Sequence, residues 1–565
     1  MIPHTKSTKQ YHYDAIVIGS GISGGWAAKE LTERGLRTIM LERGKPVVHV
    51  KDYVEATRST WDYTYRGGFS RDDYDSYPVL RRRGLNVKNI AFWANEKENP
   101  YIEARRFDWY RGYQVGGRSL TWGRQCYRYG DLDFEANIRE GIAVDWPIRY
   151  KDIAPWYSYV ERYIGVNGSL EGLDTLPDGE FLPPMEMNIV ERDVARQIKQ
   201  YYKGNRHLII GRSANLTQPH HGRINCQYQN QCSAGCNFGA YFSTQSSTLP
   251  AAQATGNLVL RPNTIVTRIL YDHDTKKATG VEVLDAESLL TYEYKAAIVF
   301  VCASALNSAW ILMNSATDIW EGGMGSSSGQ LGHNVMDHHF RCGAKGIMPG
   351  YEDSYYYGRR PNGIYIPRFQ NVADDKRSYL RGFGYQGSAS RTGWSRDVAE
   401  MSLGAAWKDE LCEPGNWTMG ITAFGEILPY HENRIYLDSE KKDRWDLPVL
   451  TMDCEIKENE QLMRKDMMEE AKAMLEIAGL EEVEMFDEGY GFGAGIHEMG
   501  TARMGNDPKT SVLNGNNQLW DVPNVFVTDG ACMTSSGCVN PSLTYMALTA
   551  RACDYAVRAL KQNLI

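Results

Sequence analysis

The sequence lacks any apolar run long enough to cross a membrane, since no stretch approaches the roughly 18 apolar residues that a spanning helix needs. The N-terminal segment is short and polar. It has neither the apolar region of a signal peptide nor a twin arginine, so we expect no export signal in the chain itself. No charge of one sign dominates either, because the net charge is −8 over 565 residues. These features argue against nucleic acid and anionic membrane surfaces as main partners.

Cysteine is too scattered for a disulfide framework. The 11 cysteines are an odd count in a long chain. Most stand singly in apolar surroundings, as Cys302 and Cys553 do, and we interpret these as buried free thiols. One group differs, because Cys226, Cys232 and Cys236 lie close together in a polar segment.

The N-terminal part of the chain predicts a βαβ unit. Residues 14–18 form a short apolar run that is typical of a buried parallel strand, and residues 37–41 predict a second strand. A helix is predicted between them, from about residue 23 to residue 34. The cofactor-binding part of the chain is therefore expected to begin near its N-terminus.

The turn between the first strand and the helix predicts a dinucleotide site. Gly19, Gly21 and Gly24 have the spacing that lets a backbone turn tightly and approach a pyrophosphate. The N-terminus of the helix then offers free N–H groups and a partial positive charge. Glu42, at the end of the second strand, supplies a carboxylate for ribose hydroxyls. This motif alone does not distinguish FAD from NAD.

The remainder of the chain predicts two further regions. Residues 51–109 are rich in aromatic residues and arginine and have little periodicity, so we interpret them as a lid or a subunit contact. Residues 331–495 carry turn signals and short alternating runs, which predict a substrate domain on an antiparallel sheet with a helix at about 456–477. The predicted cofactor domain is discontinuous and comprises residues 1–50, 110–330 and 496–565.

Four further motifs, at residues 115–124, 497–505, 527–530 and 540–544, decide the cofactor and suggest a family. Together with the glycine fingerprint, and in the same order and spacing, they resemble the glucose–methanol–choline (GMC) FAD oxidoreductases along the whole chain. The resemblance implies an α/β, Rossmann-like FAD-binding domain joined to a substrate domain built on an antiparallel β-sheet.

The resemblance also implies roles for individual residues. His497 matches the active-site histidine of the family, and Asn540 matches the second member of its catalytic pair. Gly116 and Gly117 match glycines that approach the flavin. The remaining matches, near the adenine, pyrophosphate and ribityl groups of FAD, are Val266, Asp529 and Gly530.

Histidine and asparagine suit the oxidation of an alcohol, which removes an O–H proton and a C–H hydride. Histidine titrates near neutral pH and can take the proton, Asn540 can hold the alcohol oxygen without titrating, and the hydride chemistry belongs to the flavin. Another histidine-rich patch contains His333, His338 and His339. We interpret that patch as structural, where the chain crosses between domains, and not as a metal site.

The cysteine segment, residues 225–236, leaves three interpretations open. Three thiolates fit a [3Fe-4S] cluster, whereas four-iron clusters generally need four. Zinc needs a fourth ligand, which His220 or His221 could supply. The thiols could also be structural, although clustered thiols in a polar loop are unusual unless something binds them.

The segment resembles one branch of the family, the gluconate, fructose, FAD glucose and glucoside 3-dehydrogenases. That resemblance implies a [3Fe-4S] cluster, a cytochrome acceptor and a small subunit that carries the export signal. Some relatives have a pair of adjacent cysteines at the first position of the segment, whereas here Cys226 is followed by Gln227. We therefore expect a dehydrogenase that oxidises a secondary hydroxyl of a sugar or glycoside, located in the periplasm by export with its partner, or in the cytoplasm.

Three rival functions remain at this stage. The first is a GMC oxidase that has no cluster and delivers electrons to oxygen as H2O2. The second is a non-redox lyase that uses FAD structurally. The third is an electron-carrying subunit without its own substrate, which the presence of both His497 and Asn540 argues against.

Overall fold

The computed structural model describes residues 5–356, 360–392, 403–412 and 414–565. Its strands are β1 Thr5–Ile18, β2 Thr38–Leu41, β3 Ile102–Glu103, β4 Ile209–Ile210, β5 Leu258–Arg261, β6 Thr264–Asp272, β7 Lys277–Asp285, β8 Leu290–Val301, β9 Cys342–Met348, β10 Ile364–Ile366, β11 Phe383–Arg391, β12 Trp417–Gly425, β13 Arg434–Lys442, β14 Pro448–Asp453, β15 Glu481–Asp487 and β16 Val525–Val527. Its helices are α1 Ile22–Glu33, α2 Val54–Thr57, α3 Arg71–Ser76, α4 Pro78–Arg83, α5 Asp131–Phe134, α6 Ala136–Glu140, α7 Tyr150–Ile164, α8 Ile189–Tyr201, α9 Thr248–Ala254, α10 Ala305–Asn314, α11 Ala405–Cys412, α12 Glu458–Ile477 and α13 Ser542–Lys561.

The first sheet carries the predicted βαβ unit. Strands β5, β2, β1, β8 and β16 lie side by side and are all parallel, and β7 and β6 extend β8 in antiparallel fashion. Residues 15–18 of β1 are almost fully buried because helices cover this sheet, which explains their unbroken apolar run. Helices α1 and α13 pack on it through Ala27, Leu31, Ala552 and Ala556.

The second sheet is antiparallel and has the order β15, β9, β12, β11, β10, β4. Along β12, buried and less buried residues alternate, as expected of a strand with one face in a core. Trp417, Met419 and Ile421 share a core with α12, whereas Phe424 points to the opposite face and lines a cavity. The predicted antiparallel sheet with its helix at 456–477 is thus confirmed, and so is the predicted α/β plus antiparallel β fold class.

The boundaries of the predicted domains stay a prediction, because some elements cross them. Helix α8 and strand β4 lie within residues 110–330, yet they pack with the second sheet. A third, small sheet pairs β13 with β14 and β14 with β3, which belongs to the 51–109 segment. No described helix is both long and apolar enough to cross a membrane.

Candidate active site

A cavity of about 660 Å³ lies between the two sheets. One end is formed by the glycine turn and the other by His497. Two predicted residues do not line it but contact residues that do: Gly24 packs against Gly19, and the backbone N–H of Gly116 donates to Ser20. The predicted site residues that line the cavity are Gly19, Gly21, Glu42, Gly117, Val266, His497, Asp529, Gly530 and Asn540.

Two positions of the glycine turn, Gly19 and Gly24, admit no side chain. Gly19 has φ +92°, and a Cβ there would lie 2.5 Å from the carbonyl oxygen of Cys302. A Cβ on Gly24 would lie 1.9 Å from the oxygen of Gly19, so helix and strand pack at the closest possible distance. Helix α1 begins at Ile22 without a side-chain cap, and its first residues face the cavity. Free N–H groups therefore point into the space where a pyrophosphate would lie.

Glu42 is held rigidly at the same end of the cavity. Its carboxylate accepts hydrogen bonds from the backbone N–H of Ser20 (3.0 Å), the hydroxyl of Ser20 (2.5 Å) and the backbone N–H of Gly44 (2.9 Å). Burial raises the pKa of Glu42, and these three hydrogen bonds oppose that shift. Ser20 also accepts from the backbone N–H of Gly116 (2.9 Å), which ties the second glycine motif to the first.

The middle of the cavity carries polar groups suited to a dinucleotide. Asp529 accepts from the hydroxyl of Ser308 (2.5 Å) and the backbone N–H of Ala531 (2.9 Å), and burial raises its pKa to about 6. The hydroxyl of Tyr545 is buried, lines the cavity and has no hydrogen-bond partner among the residues that the structure describes. An open helix N-terminus, walls that admit no Cβ and an unsatisfied buried hydroxyl are features that fit FAD.

A histidine pair forms the other end. His338 and His497 meet through their Nδ1 atoms at 2.8 Å, and Nε2 of His338 lies 2.8 Å from the carbonyl oxygen of Gly537. A carbonyl can only accept, so Nε2 of His338 carries the proton and donates it. The Nδ1 of neutral His338 is then an acceptor, which requires Nδ1–H of His497 to be the donor. The remaining nitrogen of His497, Nε2, is therefore unprotonated and available as a base.

Burial keeps both rings neutral. It lowers the pKa of His338 to about 4, and it lowers the pKa of His497 well below its usual value, with His338 and Arg118 adding repulsion. The backbone of this segment is also fixed, because the carboxylate of Asp337 accepts from the N–H groups of Gly495 (3.0 Å) and His497 (2.9 Å). The base is thus placed and deprotonated by the fold itself.

Asn540 completes the arrangement. Its Nδ2 lies 3.5 Å from Nε2 of His497, and its Oδ1 accepts a hydrogen bond from Nε2 of Gln386 at 2.5 Å. Gln386 lies on β11, in the antiparallel sheet, and it also lines the cavity. This hydrogen bond orients the amide so that its N–H₂ group is directed to the histidine, where an alcohol oxygen would bind.

Two of these residues were not predicted to belong to the site. The sequence interpretation grouped His338 with His333 and His339, but His333 is bonded to the carbonyl of His431 and His339 lies near Arg464 (3.4 Å). Only His338 of that patch contacts the predicted base. Gln386 carries no sequence signal, because nothing in a β-strand pattern identifies the residue that meets Asn540 across 154 positions.

The cysteine segment lies beside the cavity, since Ser233 contributes to its wall. Burial raises the pKa of the Cys226 thiol, and Cys232 and Cys236 raise it further, so the three thiols are near one another. Nevertheless, in the part of the chain that the structure describes, no group of three or more His, Cys, Asp or Glu side chains is placed to hold a metal ion. His220, one of the two candidates for a fourth zinc ligand, instead bonds the carbonyl of Arg162 (2.7 Å).

The fold and the cavity together fit a flavin-dependent oxidoreductase. Comparison with family models agrees, because the models described as GMC oxidoreductase match residues 13–340 and 429–549. The chain belongs to the GMC oxidoreductase family, as the sequence motifs predicted, and it is an FAD-dependent enzyme acting on CH–OH groups.

Relatives span nearly the whole chain. The 2-methyl-1,2-propanediol dehydrogenase of Mycolicibacterium austroafricanum is 29% identical over 560 residues, 96% of this chain and 95% of that protein. The fructose dehydrogenase large subunit of Gluconobacter japonicus is 25% identical over 569 residues, 97% and 98% respectively. The crystal structure of pyridoxine 4-oxidase from Mesorbium loti has a TM-score of 0.61 at 15% identity, with 96% and 99% coverage, and it supports the fold alone.

Proposed function

We propose that this enzyme oxidises a secondary hydroxyl of a sugar or glycoside to a ketone. The observation that carries the proposal is the unprotonated Nε2 of His497, which lies beside the amide of Asn540 at the cavity end. The names of relatives that span the chain, a fructose dehydrogenase and a diol dehydrogenase, support a polyhydroxy substrate. FAD, when bound, supplies the acceptor for the hydride.

The protein's own residues bind the alcohol oxygen and remove the hydroxyl proton. The N–H₂ group of Asn540 donates to the alcohol oxygen, and Nε2 of His497 takes the hydroxyl proton. His338 accepts from Nδ1–H of His497 throughout, so it holds the ring in the orientation and tautomer that the proton transfer requires. The charge that develops on His497 strengthens this hydrogen bond.

The test is anaerobic reduction of the flavin by a panel of sugars, glycosides and polyols, followed by identification of the carbonyl product. We expect loss of the oxidised flavin absorbance and a ketone at a ring carbon. An aldehyde product would overturn the assignment of a secondary hydroxyl. Turnover without any flavin reduction would indicate the non-redox lyase instead.

We further propose that electrons leave to an acceptor other than oxygen, with a [3Fe-4S] cluster on the cysteine segment and a cytochrome as the acceptor. Support comes from the position of Ser233 in the cavity wall and from the dehydrogenase names of the relatives. Within the described residues, the thiols as they stand do not form a ligand set. A signal-bearing small subunit and a periplasmic location belong to the same proposal.

Iron and acid-labile sulfide analysis with EPR spectroscopy tests the cluster, and oxygen uptake tests the acceptor. We expect about three irons per flavin and slow reoxidation by air. A chain that holds flavin, lacks iron and produces H2O2 would be an oxidase. Zinc in place of iron would show that the cysteine segment is a zinc site and not an iron–sulfur site.

A further inference from the structure

Arg83 is an arginine at the histidine end of the cavity. It is the last residue of α4 and lines the cavity wall. Its guanidinium lies 4.5 Å from the centre of the Phe340 ring and 5.5 Å from that of Tyr110. Tyr110 and Phe340 pack in one apolar cluster with Ile496, the residue that precedes His497, so Arg83 lies on the side of the cavity that carries the base. Arg83 therefore faces the space beside the base.

The guanidinium has no direct ion-pair partner among the described residues. No hydrogen bond or ion pair of its side chain is formed there, whereas its neighbour Arg82 pairs with Glu103 (3.0 Å) and Asp108 (2.5 Å). The nearby Arg341 forms an ion pair with Glu488 at 3.0 Å. Burial lowers the pKa of Arg83 and Arg341 lowers it further, whereas Tyr110, Tyr490 and Glu488 oppose that shift; an arginine remains charged in proteins. The positive charge is thus offset only from a distance, because Glu488 is the ion-pair partner of Arg341 and not of Arg83.

The carboxylates of the cavity wall cannot serve Arg83. Within the described wall, the acidic residues are Glu42, Asp529 and Glu498. Glu42 and Asp529 belong to the glycine-turn end and the middle, and Glu498 forms an ion pair with Arg118 at 2.7 Å. An unpaired cation in a partly desolvated wall is costly, so the site favours a ligand that brings an anion.

We infer that the substrate is an acidic sugar or polyol whose carboxylate is bound by Arg83 while its carbinol faces His497. A guanidinium that lies against an aromatic face keeps its N–H groups free at the edge, and these match the two oxygens of a carboxylate. The inference rests on the proposed function and adds a substrate class to it. It predicts that a sugar acid is preferred over the uncharged sugar of the same carbon chain.

The test compares matched pairs, an aldonic acid with its alditol and a uronic acid with the neutral sugar, as reductants of the flavin under anaerobic conditions. For the native enzyme we expect kcat/KM to favour the acid by roughly 10- to 100-fold, the worth of a hydrogen-bonded charge. Arg83→Gln should remove this preference mainly through KM. Arg83→Lys keeps the positive charge but loses the bidentate donors of the guanidinium, so it should retain part of the preference for the acid.

Arg81→Gln is the matched control. Arg81 lies on the same helix, is exposed and faces Tyr74 instead of the cavity, so its substitution should leave the preference unchanged. Three results would overturn the inference: equal use of acid and neutral sugar by the native enzyme, a stronger preference for phosphorylated sugars, or loss of bound flavin in Arg83→Gln. The last would make Arg83 a cofactor ligand.

A binding titration keeps this inference separate from the proposed function. Perturbation of the flavin absorbance by an aldonate reports binding without turnover. If the acid binds in the native enzyme and not in Arg83→Gln, but no sugar reduces the flavin, the anion site stands and the oxidation of a sugar hydroxyl fails. If neutral sugars reduce the flavin and acids neither bind nor react, the oxidation stands and the anion site fails.

Discussion

The histidine end of the cavity and the cysteine segment differ in how far the protein alone determines their side chains. At the histidine end, His338, His497 and Asn540 all have defined hydrogen-bond partners, and these assign the tautomer of each ring. In the cysteine segment, the hydrogen bonds of the cysteines involve backbone groups, such as the 2.9 Å bond from N–H of Cys226 to the carbonyl of Leu216 and the 3.3 Å bond from N–H of Ala240 to Sγ of Cys236. The chemistry of the first region therefore follows from its geometry, whereas that of the second must be measured.

The largest effect is expected from His497→Ala. Without the Nε2 base, the rate of flavin reduction by substrate should fall by roughly 10²- to 10⁴-fold, the usual contribution of a general base. Anaerobic stopped-flow absorbance measures that rate, and the flavin content of the purified variant is the control. A rate within a few-fold of the native enzyme, with flavin fully retained, would remove His497 from its catalytic role.

His338→Ala should have the next largest effect. His338 acts through His497, and loss of such a positioning partner costs roughly 10- to 100-fold. Because water then reaches His497 and the neighbouring ring is gone, the pKa of His497 should rise toward its usual value of 6.5. His338→Gln keeps an acceptor near Nδ1 of His497 and should recover part of the rate.

The pH profile distinguishes this role from a merely structural one. Activity needs neutral His497, so it is lost as the pH falls through the pKa of that residue. Burial lowers this pKa, which places the acid limb of kcat/KM in the native enzyme below pH 6.5. In His338→Ala the acid limb should move upward. An unchanged limb with a reduced rate would mean that His338 serves only to pack the site.

A smaller effect is expected from Gln386→Leu. This substitution removes the hydrogen bond that orients Asn540 and keeps the size of the side chain, so the loss is that of one neutral hydrogen bond, about 5-fold in kcat/KM. Ser388→Ala, on the same strand and exposed, is the control. An equal loss in both variants would point to disturbance of β11 instead of the amide.

Local pattern accounts for much of the fold and less of the site. The glycine spacing and the apolar run at residues 14–18 predicted the βαβ unit, because both are consequences of a buried parallel strand. The strand nevertheless begins at Thr5, and its polar first half pairs with β8 from Leu290 onward. A strand segment made of polar residues has no apolar signature, so the sequence could not show it.

The site residues that escaped prediction depend on long-range register. His338 contacts His497 across 159 positions, and no periodicity reports which of three neighbouring histidines makes that contact. The alternation along β11 and β12 tells which residues face away from the core, but not which of them lies above the base. A motif can name the base, whereas its partners follow only from the packing of the two sheets.

The smallest effect on flavin reduction is expected from Cys232→Ser, and it is the sharpest test of the contrast between the two regions. Reduction of the flavin requires the base and the substrate contacts at the histidine end, and none of the described hydrogen bonds there involves a cysteine. The stopped-flow rate with substrate should therefore stay within about 2-fold of the native rate, since the substitution is a surface-type change away from that site.

Transfer of electrons onward to a cytochrome should fall, together with the iron content, if the proposed cluster exists. Cys412→Ser, an exposed cysteine outside the segment, is the control for general thiol effects. A large loss of flavin reduction in Cys232→Ser, with flavin retained, would show that the two regions act as one site, because Ser233 already joins the segment to the cavity wall.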